Sequence, residues 1–469
     1  MQNAHPTDHQ EEHLRRGLSN RHIQLIALGG AIGTGLFMGS GKSISLAGPS
    51  IIFVYMIVGC MQFFVMRAMG ELLLSNLEYK SFADFAADLI GPWAGFFIGW
   101  TYWLCWVVAG IGDTVAVAHY MLFWFPDLPQ WIPALICIVL LLGLNLVAVK
   151  IFGETEFWFA LIKVVAIGAL VLAGLYMIVT GFRSPSGAVA SFSNLWNDGG
   201  MFPMGIAGFF AGFQFAVFAT AGTELVGVAA AETRDPHKTL PRAINAIQIR
   251  IIMFYVLALL VIMCVTPWRQ ISPTSSPFVQ LFVFAGLPAA AAIINFVVLT
   301  AAASAGNSGI FSTSRMVYGL AEKGQAPRFF ERLSHRAVPA RGLFFSATCM
   351  LSGVVLLHAV PSLTDAFLVV VFIATLSFLF IWSVILWSYL AYRRKRPQLH
   401  AASRYKMPGG KIVCWLCLMF YAFVLVLLML EENMRTALLL MPVWFGALTI
   451  SYLFFVRPRQ RDAANAARR

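Results

Sequence analysis

Charged residues are scarce in this sequence of 469 residues: Asp, Glu, Lys and Arg make up 12% of it, against 59% hydrophobic residues. The mean hydropathy is +0.77. A soluble domain carries about 25% charged residues, and a single hydrophobic core stops growing at about 250–300 residues. The apolar side chains must therefore face lipid, which excludes a soluble globular protein.

Catalytic and metal-binding motifs are also lacking. The sequence contains no Walker A loop, no G-x-S-x-G elbow and no H-E-x-x-H pair, so we expect neither an enzyme nor an ATP-driven pump. The seven cysteines lie in apolar runs or at their edges, where cysteine behaves as a small hydrophobe. Cys414 and Cys417 have C-x-x-C spacing, but no second pair follows to complete a zinc site. We expect no metal and no cofactor.

Long apolar runs make up most of the chain. Crossing a hydrocarbon core about 30 Å thick takes about 20 helical residues, and the runs predict an all-α integral membrane protein with twelve transmembrane helices. The first 20 residues are polar, so we expect no cleavable signal peptide. The predicted spans are 22–46, 49–74, 91–124, 131–149, 156–181, 204–230, 243–266, 288–319, 342–360, 363–391, 411–430 and 436–456.

Lysine and arginine are distributed unevenly between the connecting segments. If the N-terminus is cytoplasmic, Lys163 lies inside a span and almost all other basic residues lie on the cytoplasmic side. By the positive-inside rule, we expect both termini in the cytoplasm. This placement also argues against a nucleic-acid partner, which would need basic residues on one folded face. The external loops hold only Lys42, Arg183, Arg269 and Arg435.

Span one contains four glycines within residues 29–35. Each costs about 1 kcal/mol relative to alanine in a continuous helix. Close packing through small residues explains one or two of them but not the cluster, so we predict an unwound segment there.

Span six has a similar segment, residues 218–224, with Gly222, two threonines and Glu224. A carboxylate at mid-membrane costs roughly 2.5–3.5 kcal/mol even on permissive scales, and packing alone does not require one. Spans one and six are corresponding members of two five-helix halves. Because each half has an odd number of helices, the two halves are inverted relative to each other. The predicted organisation is a tail over 1–20, a first inverted repeat over 21–181, a second over 204–391, spans eleven and twelve over 411–456, and a tail over 457–469.

Paired helix interruptions at corresponding positions indicate a transporter site. Unwound backbone cannot face lipid, so it must line a cavity and bind a ligand. A zwitterion fits, because helix N-terminal amides attract a carboxylate and freed carbonyls attract an ammonium. We expect the amides of Gly33, Thr34 and Gly35 to hold the carboxylate, and carbonyls near Ile32, Phe218, Ala219 and Ala221 to hold the amine. The predicted substrate-binding residues are Ile32, Gly33, Thr34, Gly35, Phe218, Ala219, Thr220, Ala221 and Glu224.

Lys163 lies about two turns inside span five. It is either a snorkelling lysine, which would need the interface within reach, or a functional residue. A desolvated ammonium exchanges its proton readily, so we expect a role in proton coupling or in place of a coupling cation. Asp113 and Glu224 are the other intramembrane acids. Each either takes part in proton movement and substrate binding or is a hydrogen-bonded structural carboxyl.

Further polar residues lie in span eight and at helix ends. Ser304, Asn307 and Ser308 begin a polar stripe that continues to Thr313; it either lines the cavity or bonds neighbouring helices. For the acids near cytoplasmic helix ends we expect capping or gating salt bridges. These are Glu71, Glu232 and Asp235.

Several stretches are similar to those of a known family. They read LSNRHIQLIALGGAIGTGLF at 18–37, GTELVG at 222–227, AETRDP at 231–236 and RAIN at 242–245. Over about residues 14–456 the chain resembles bacterial amino acid permeases of the amino acid–polyamine–organocation superfamily.

The resemblance implies a five-plus-five inverted repeat in the bacterial inner membrane and import of small neutral amino acids by proton symport. It also implies proton coupling through Lys163 and zwitterion binding by the interrupted helices. Several relatives carry glutamate where Asp113 aligns, so a shared role there stays open.

Other functions remain as alternatives. A channel would show pore-lining rings repeated by oligomer symmetry, rather than two different interrupted helices in one chain. A transceptor would bind the amino acid mainly to signal, but no sizeable soluble effector domain is visible. Two further alternatives are an exchanger of a related permease subfamily with a different order of substrates and a membrane-embedded enzyme.

Overall fold

The computed structural model describes residues 32–147, 149–185, 187–229, 235–359, 363–430 and 434–459. These residues form helices and loops, with one isolated β-bridge between Arg183 and Val189. The helices are α1 Thr34–Phe37, α2 Gly39–Ala47, α3 Ile51–Ser75, α4 Phe82–Leu89, α5 Pro92–Met121, α6 Trp131–Val147, α7 Val149–Val179, α8 Gly205–Ala211, α9 Phe213–Ala219, α10 Leu225–Ala229, α11 Pro236–Ile251, α12 Leu257–Val265, α13 Pro277–Phe284, α14 Pro288–Glu322, α15 Ala340–Met350, α16 Ser352–Ala359, α17 Leu363–Lys395, α18 Pro397–Ala402, α19 Gly410–Met429 and α20 Arg435–Ser451.

Eight helical segments of the described residues are long and apolar enough to cross a membrane. They are Gly39–Ser75, Pro92–Met121, Phe152–Val179, Pro236–Val265, Pro288–Glu322, Phe367–Lys395, Gly410–Met429 and Ala437–Arg459. Trp131–Val147, Gly205–Ala219 and Ala340–Val355 are shorter apolar helices. The chain is therefore a multi-pass helical membrane protein, while the count of twelve spans and the inverted repeat stay predictions.

Every predicted span from 49–74 onward contains a helix. The segment Gly39–Ser75 has 37 residues, which at 1.5 Å per residue is about 55 Å and exceeds the hydrocarbon thickness. A 3₁₀ turn at Gly48–Ser50 divides it, and Gly48 has a φ of 61°. The boundary predicted between spans one and two lies at this turn. Residues 22–31 of span one and Glu232 lie outside the described residues. The same holds for the N-terminal tail and for residues 460–469 of the C-terminal tail.

Helices α5 and α14 pack along each other, and α17 packs against α5. Glycines allow this close approach. A Cβ atom at Gly309 would lie 2.9 Å from the Trp106 ring, and one at Gly306 would lie 3.6 Å from the Asp113 Cβ. The backbones of α5 and α14 therefore lie close together, and the residues of α5 that face α14 lie next to the polar stripe of span eight.

The segment that joins α17 to α19 is tied to α3 through a buried acid. Glu71 accepts hydrogen bonds from the Met407 N–H at 2.8 Å and pairs with the His400 Nδ1 at 2.6 Å. Asp235 forms an exposed ion pair with Lys238 at 3.5 Å. Glu71 and Asp235 thus make helix-end interactions of the kind expected from the sequence.

Candidate functional site

Span six is interrupted where the sequence predicts it. Helix α9 ends at Ala219, residues 220–224 form turns, and α10 begins at Leu225. Gly222 has a φ of 94°, a conformation open to glycine and strained for other residues. The turn therefore depends on Gly222, and it leaves backbone polar groups without the regular helical bonds.

Helix α1 begins inside span one. Gly33 precedes it in an extended conformation, and the N–H groups of Leu36 and Phe37 both donate to the Gly33 oxygen at 3.2 Å. The N–H groups of Thr34 and Gly35 are the first of this helix and have no carbonyl four residues back within it. Met38 keeps helical dihedral angles, so α1 leads directly into α2.

The start of α1 and the end of α9 meet. A Cβ atom at Gly35 would lie 2.6 Å from the Ala219 Cα, and one at Gly33 would lie 3.1 Å from the Ala305 Cβ of α14. No side chain larger than hydrogen fits at Gly35 without a backbone shift. The structure thus brings together the two segments that the sequence identified separately.

A small cavity of about 30 Å³ lies at this meeting point. A cavity of this size holds at most a few water molecules, so an amino acid enters only if the lining groups move apart. The lining residues are Gly33, Thr34, Gly35, Trp106, Ala109, Asp113, Phe218, Ala219, Ala221, Ala305 and Phe378.

Asp113 connects the cavity to α5. Its side chain is buried, and its Oδ1 accepts a hydrogen bond from the Thr34 Oγ1 at 2.8 Å. The bond joins the first residue of α1 to an ionisable group of α5. Asp113 therefore lies at the predicted binding segment.

Lys163 is fully buried and is linked to an acid through a serine. Its Nζ donates to the Ser304 Oγ at 3.0 Å, and the Ser304 hydroxyl donates to the Glu156 Oε2 at 2.8 Å. Asn307 donates to the other Glu156 oxygen at 2.7 Å. The Asp113 carboxyl also lies within electrostatic range of Lys163. A buried ammonium needs such partners, because an isolated charge is strongly disfavoured in an apolar interior.

The network extends along α14 and to α6. Asn145 donates to the Asn307 Oδ1 at 2.6 Å, and Ser308 is fully buried beside Glu156. Ser304 and Asn307 thus bind side chains of α6 and α7. The structure does not place Ser304, Asn307 or Ser308 among the residues that line the small cavity.

Glu156 is the main residue that the sequence interpretation missed. It lies seven residues before Lys163 in the sequence. Seven residues are close to two helical turns, so both side chains lie on one face of α7. Ser304 and Asn307 are three residues apart and therefore share one face of α14. The two spacings together could have indicated, from the sequence, that these side chains form one network.

Glu224 lies at the start of α10 in a different environment. Both of its carboxylate oxygens accept from the Gly222 N–H, at 3.3 and 3.1 Å. The indole rings of Trp106 and Trp382 lie beside it, and Glu224 itself is fully buried. Its hydrogen-bond partners differ from those of the Lys163 network, and Glu224 is not a lining residue of the small cavity, although the Trp106 ring beside it is.

Two of the carbonyls predicted to hold an amine, those of Phe218 and Ala219, already accept protein hydrogen bonds. The Tyr255 hydroxyl donates to the Ala219 oxygen at 2.7 Å, and the Ala221 N–H donates to the Phe218 oxygen at 3.0 Å. Thr220 donates its hydroxyl to the Val217 oxygen at 2.9 Å. A carbonyl oxygen has two lone pairs, so each retains one acceptor site. Their binding of an amine stays a prediction.

The whole chain can be compared with known proteins. It is 65% identical over 452 residues to the D-serine/D-alanine/glycine transporter of Escherichia coli strain K12, which covers 96% of both chains. It is 52% identical over 443 residues to the amino-acid permease AapA of Bacillus subtilis strain 168, covering 94% of this chain and 95% of that one. The probable threonine/serine transporter YbxG of the same organism is 42% identical over 442 residues, again 94% and 95%. Residues 22–464 match the amino acid permease family. The chain belongs to this family, whose members are membrane transporters and not enzymes.

Proposed function

We propose that this protein imports small neutral amino acids such as D-serine, D-alanine and glycine by proton symport with alternating access. One observation carries the proposal: the interrupted helix ends at Gly35 and Ala219 meet at a buried cavity beside Asp113. The relative that is 65% identical bears these three substrates in its name. Twelve spans in two inverted halves, with both termini cytoplasmic, complete the proposed arrangement.

The substrate carboxylate binds the N–H groups of Thr34 and Gly35. These groups begin a helix, where the dipole favours negative charge, and the adjoining turn of span six supplies carbonyls for the amine. The walls restrict the side chain, because Trp106, Phe218 and Phe378 surround the cavity and Gly35 has no room beside Ala219. The proposal therefore favours substrates with very small side chains.

Proton coupling proceeds through Lys163 and its acidic partners. Loss of the proton from Lys163 removes the charge that balances Glu156 and weakens the attraction on Asp113. Asp113 holds Thr34, the first residue of the carboxylate-binding helix. A protonation change at Lys163 is thereby transmitted to the binding segment through one hydrogen bond.

Uptake by the purified protein in liposomes tests the proposal. We expect D-serine to accumulate against its own gradient when the outside is made acidic, because only a coupled carrier concentrates its substrate. A protonophore should abolish accumulation. Competition with D-alanine, glycine, L-alanine and larger amino acids then ranks the substrates. Sodium-dependent uptake that ignores the pH gradient would contradict the coupling, and uptake that only equilibrates would indicate a channel or an uncoupled carrier.

A further inference from the structure

A second and larger concavity lies far from the substrate cavity, at the end of the helices. It has a volume of about 1010 Å³ and is formed by the end of α4, the start of α5, the last turns of α17 and the start of α19. Leucine, isoleucine, valine and alanine side chains line its inner part. Three tryptophans and three basic residues line the rest: Trp93, Trp387, Trp415, Arg394, Lys395 and Lys411.

The three tryptophans are half exposed, at 49% for Trp93, 50% for Trp387 and 47% for Trp415. The Trp387 and Trp415 rings pack edge to face with centroids 5.4 Å apart. Indole rings are enriched where lipid headgroups meet the hydrocarbon, because one part of the ring is apolar and its N–H is polar. This part of the groove is therefore at the membrane interface.

The three basic side chains form a positive rim on the groove. Arg394 and Lys395 end α17, Lys411 is the second residue of α19, and all three are exposed. The salt bridges found among the described residues include none of them, and the nearby acid Asp88 already binds Arg396 at 2.7 Å. Three like charges held close together favour an anionic ligand.

We propose that this groove binds an anionic phospholipid, with the phosphate at Arg394, Lys395 and Lys411 and the acyl chains along the tryptophans and aliphatic residues. Basic pockets between transmembrane helices bind anionic headgroups in this manner. A zwitterionic lipid would bring its own ammonium to the positive rim. A second copy of the chain would place two positive rims against each other.

The groove joins α4 and α5 to α17 and α19, which are distant from them in sequence. A lipid bound there contacts all four helices at once, and α5 carries Asp113 and Trp106. The lipid would therefore hold the ends of these helices together at one membrane surface. This inference goes beyond the transport proposal, and its test requires no transport measurement.

Native mass spectrometry of the full chain, purified in a mild detergent with equal phosphatidylglycerol and phosphatidylcholine, tests the proposal. We expect the protein to retain phosphatidylglycerol preferentially. The triple variant Arg394→Gln, Lys395→Gln, Lys411→Gln should lose this preference, with affinity falling on the order of fivefold per removed charge. The matched control Arg328→Gln, Arg332→Gln, Arg404→Gln removes the same charge from exposed sites outside the groove and should retain it.

A single variant, Lys411→Gln, guards against misfolding of the triple variant. It should lower phosphatidylglycerol retention on the order of fivefold, with an unchanged size-exclusion profile. Equal retention of the two lipids by the unaltered protein would overturn the proposal. So would equal losses in the two triple variants, or a dimer that the groove variant disrupts while lipid retention stays the same.

Discussion

The Lys163 network and the interrupted span six are both buried polar regions, but they are built on different backbones. Lys163 and Glu156 lie on the continuous helix α7, and Ser304 and Asn307 on the continuous helix α14. Glu224 instead lies at a turn and binds a backbone N–H within that turn. Side chains on unbroken helices keep a fixed spacing, whereas a carboxyl on a turn moves with its chain. The first region suits a fixed proton site and the second a moving binding segment.

The largest effect is expected where the interrupted helices meet. Gly35→Val places a side chain 2.6 Å or less from the Ala219 backbone, so the α1 and α9 ends must separate. We expect uptake to fall by at least about 10²-fold, by analogy with the rate loss that a misplacement of about 1 Å can cause in an enzyme active site. Radiolabelled D-serine uptake, normalised to protein in the membrane, measures it.

Gly168→Val is the matched control, because a Cβ at Gly168 meets nothing within 4 Å. It should insert and transport normally. Uptake by Gly35→Val at the level of Gly168→Val would contradict the proposed binding segment.

The next largest effect concerns the fixed network. Lys163→Met leaves Glu156 buried without its counter-charge, and removal of one partner of a buried pair costs about 3–5 kcal/mol. We expect loss of pH-driven uptake and a lower melting temperature in detergent.

The double variant Lys163→Met with Glu156→Gln sharpens this test. It removes both charges, so its melting temperature should recover toward the unaltered value while uptake stays absent. If the double variant were as unstable as Lys163→Met, or were destabilised by the sum of the two single effects, the two side chains would not act as a pair.

Glu224→Gln should have a smaller effect on stability. Glutamine keeps an oxygen that accepts from the Gly222 N–H, so we expect a loss of about 1 kcal/mol or less. If Glu224 binds the substrate or a proton, uptake falls while the melting temperature holds. Unchanged uptake would assign Glu224 to a structural role.

The smallest effect on uptake is expected for Thr34→Val, which removes the hydrogen bond to Asp113 and keeps the side-chain shape. Losing one such bond costs about 1–3 kcal/mol when it leaves a buried acceptor unsatisfied. We expect weaker coupling, seen as a smaller ratio of uptake with and without the pH gradient. Thr180→Val, which alters an exposed threonine at the end of α7, is the control and should leave this ratio unchanged.

The sequence predicts backbone features better than contacts between helices. The interruption at 220–224 follows from Gly222 and its polar neighbours, because these residues disfavour a membrane helix locally. The partnership of Lys163 with Glu156 depends on how α7 faces α14, which no local rule supplies. The tryptophans around Glu224 were missed for the same reason, since they come from α5 and α17.

The predicted cavity lining shows the same limit. Gly33, Thr34 and Gly35 were found because glycine clusters are visible in a sequence. Ala109, Ala305 and Phe378 were not, because one alanine or phenylalanine among many in an apolar run carries no signal of its own. Their position follows only from the packing of α5, α14 and α17.

The close backbone contact between Gly35 and Ala219 also affects how α1 and α9 can move relative to each other. Helices whose side chains interdigitate must change rotamers before one passes the other, and each change meets a barrier. At Gly35 nothing projects from the backbone, so α1 and α9 can roll across each other with their side-chain conformations intact. A substrate that enters between the two helices would then separate backbone surfaces whose side chains do not interdigitate.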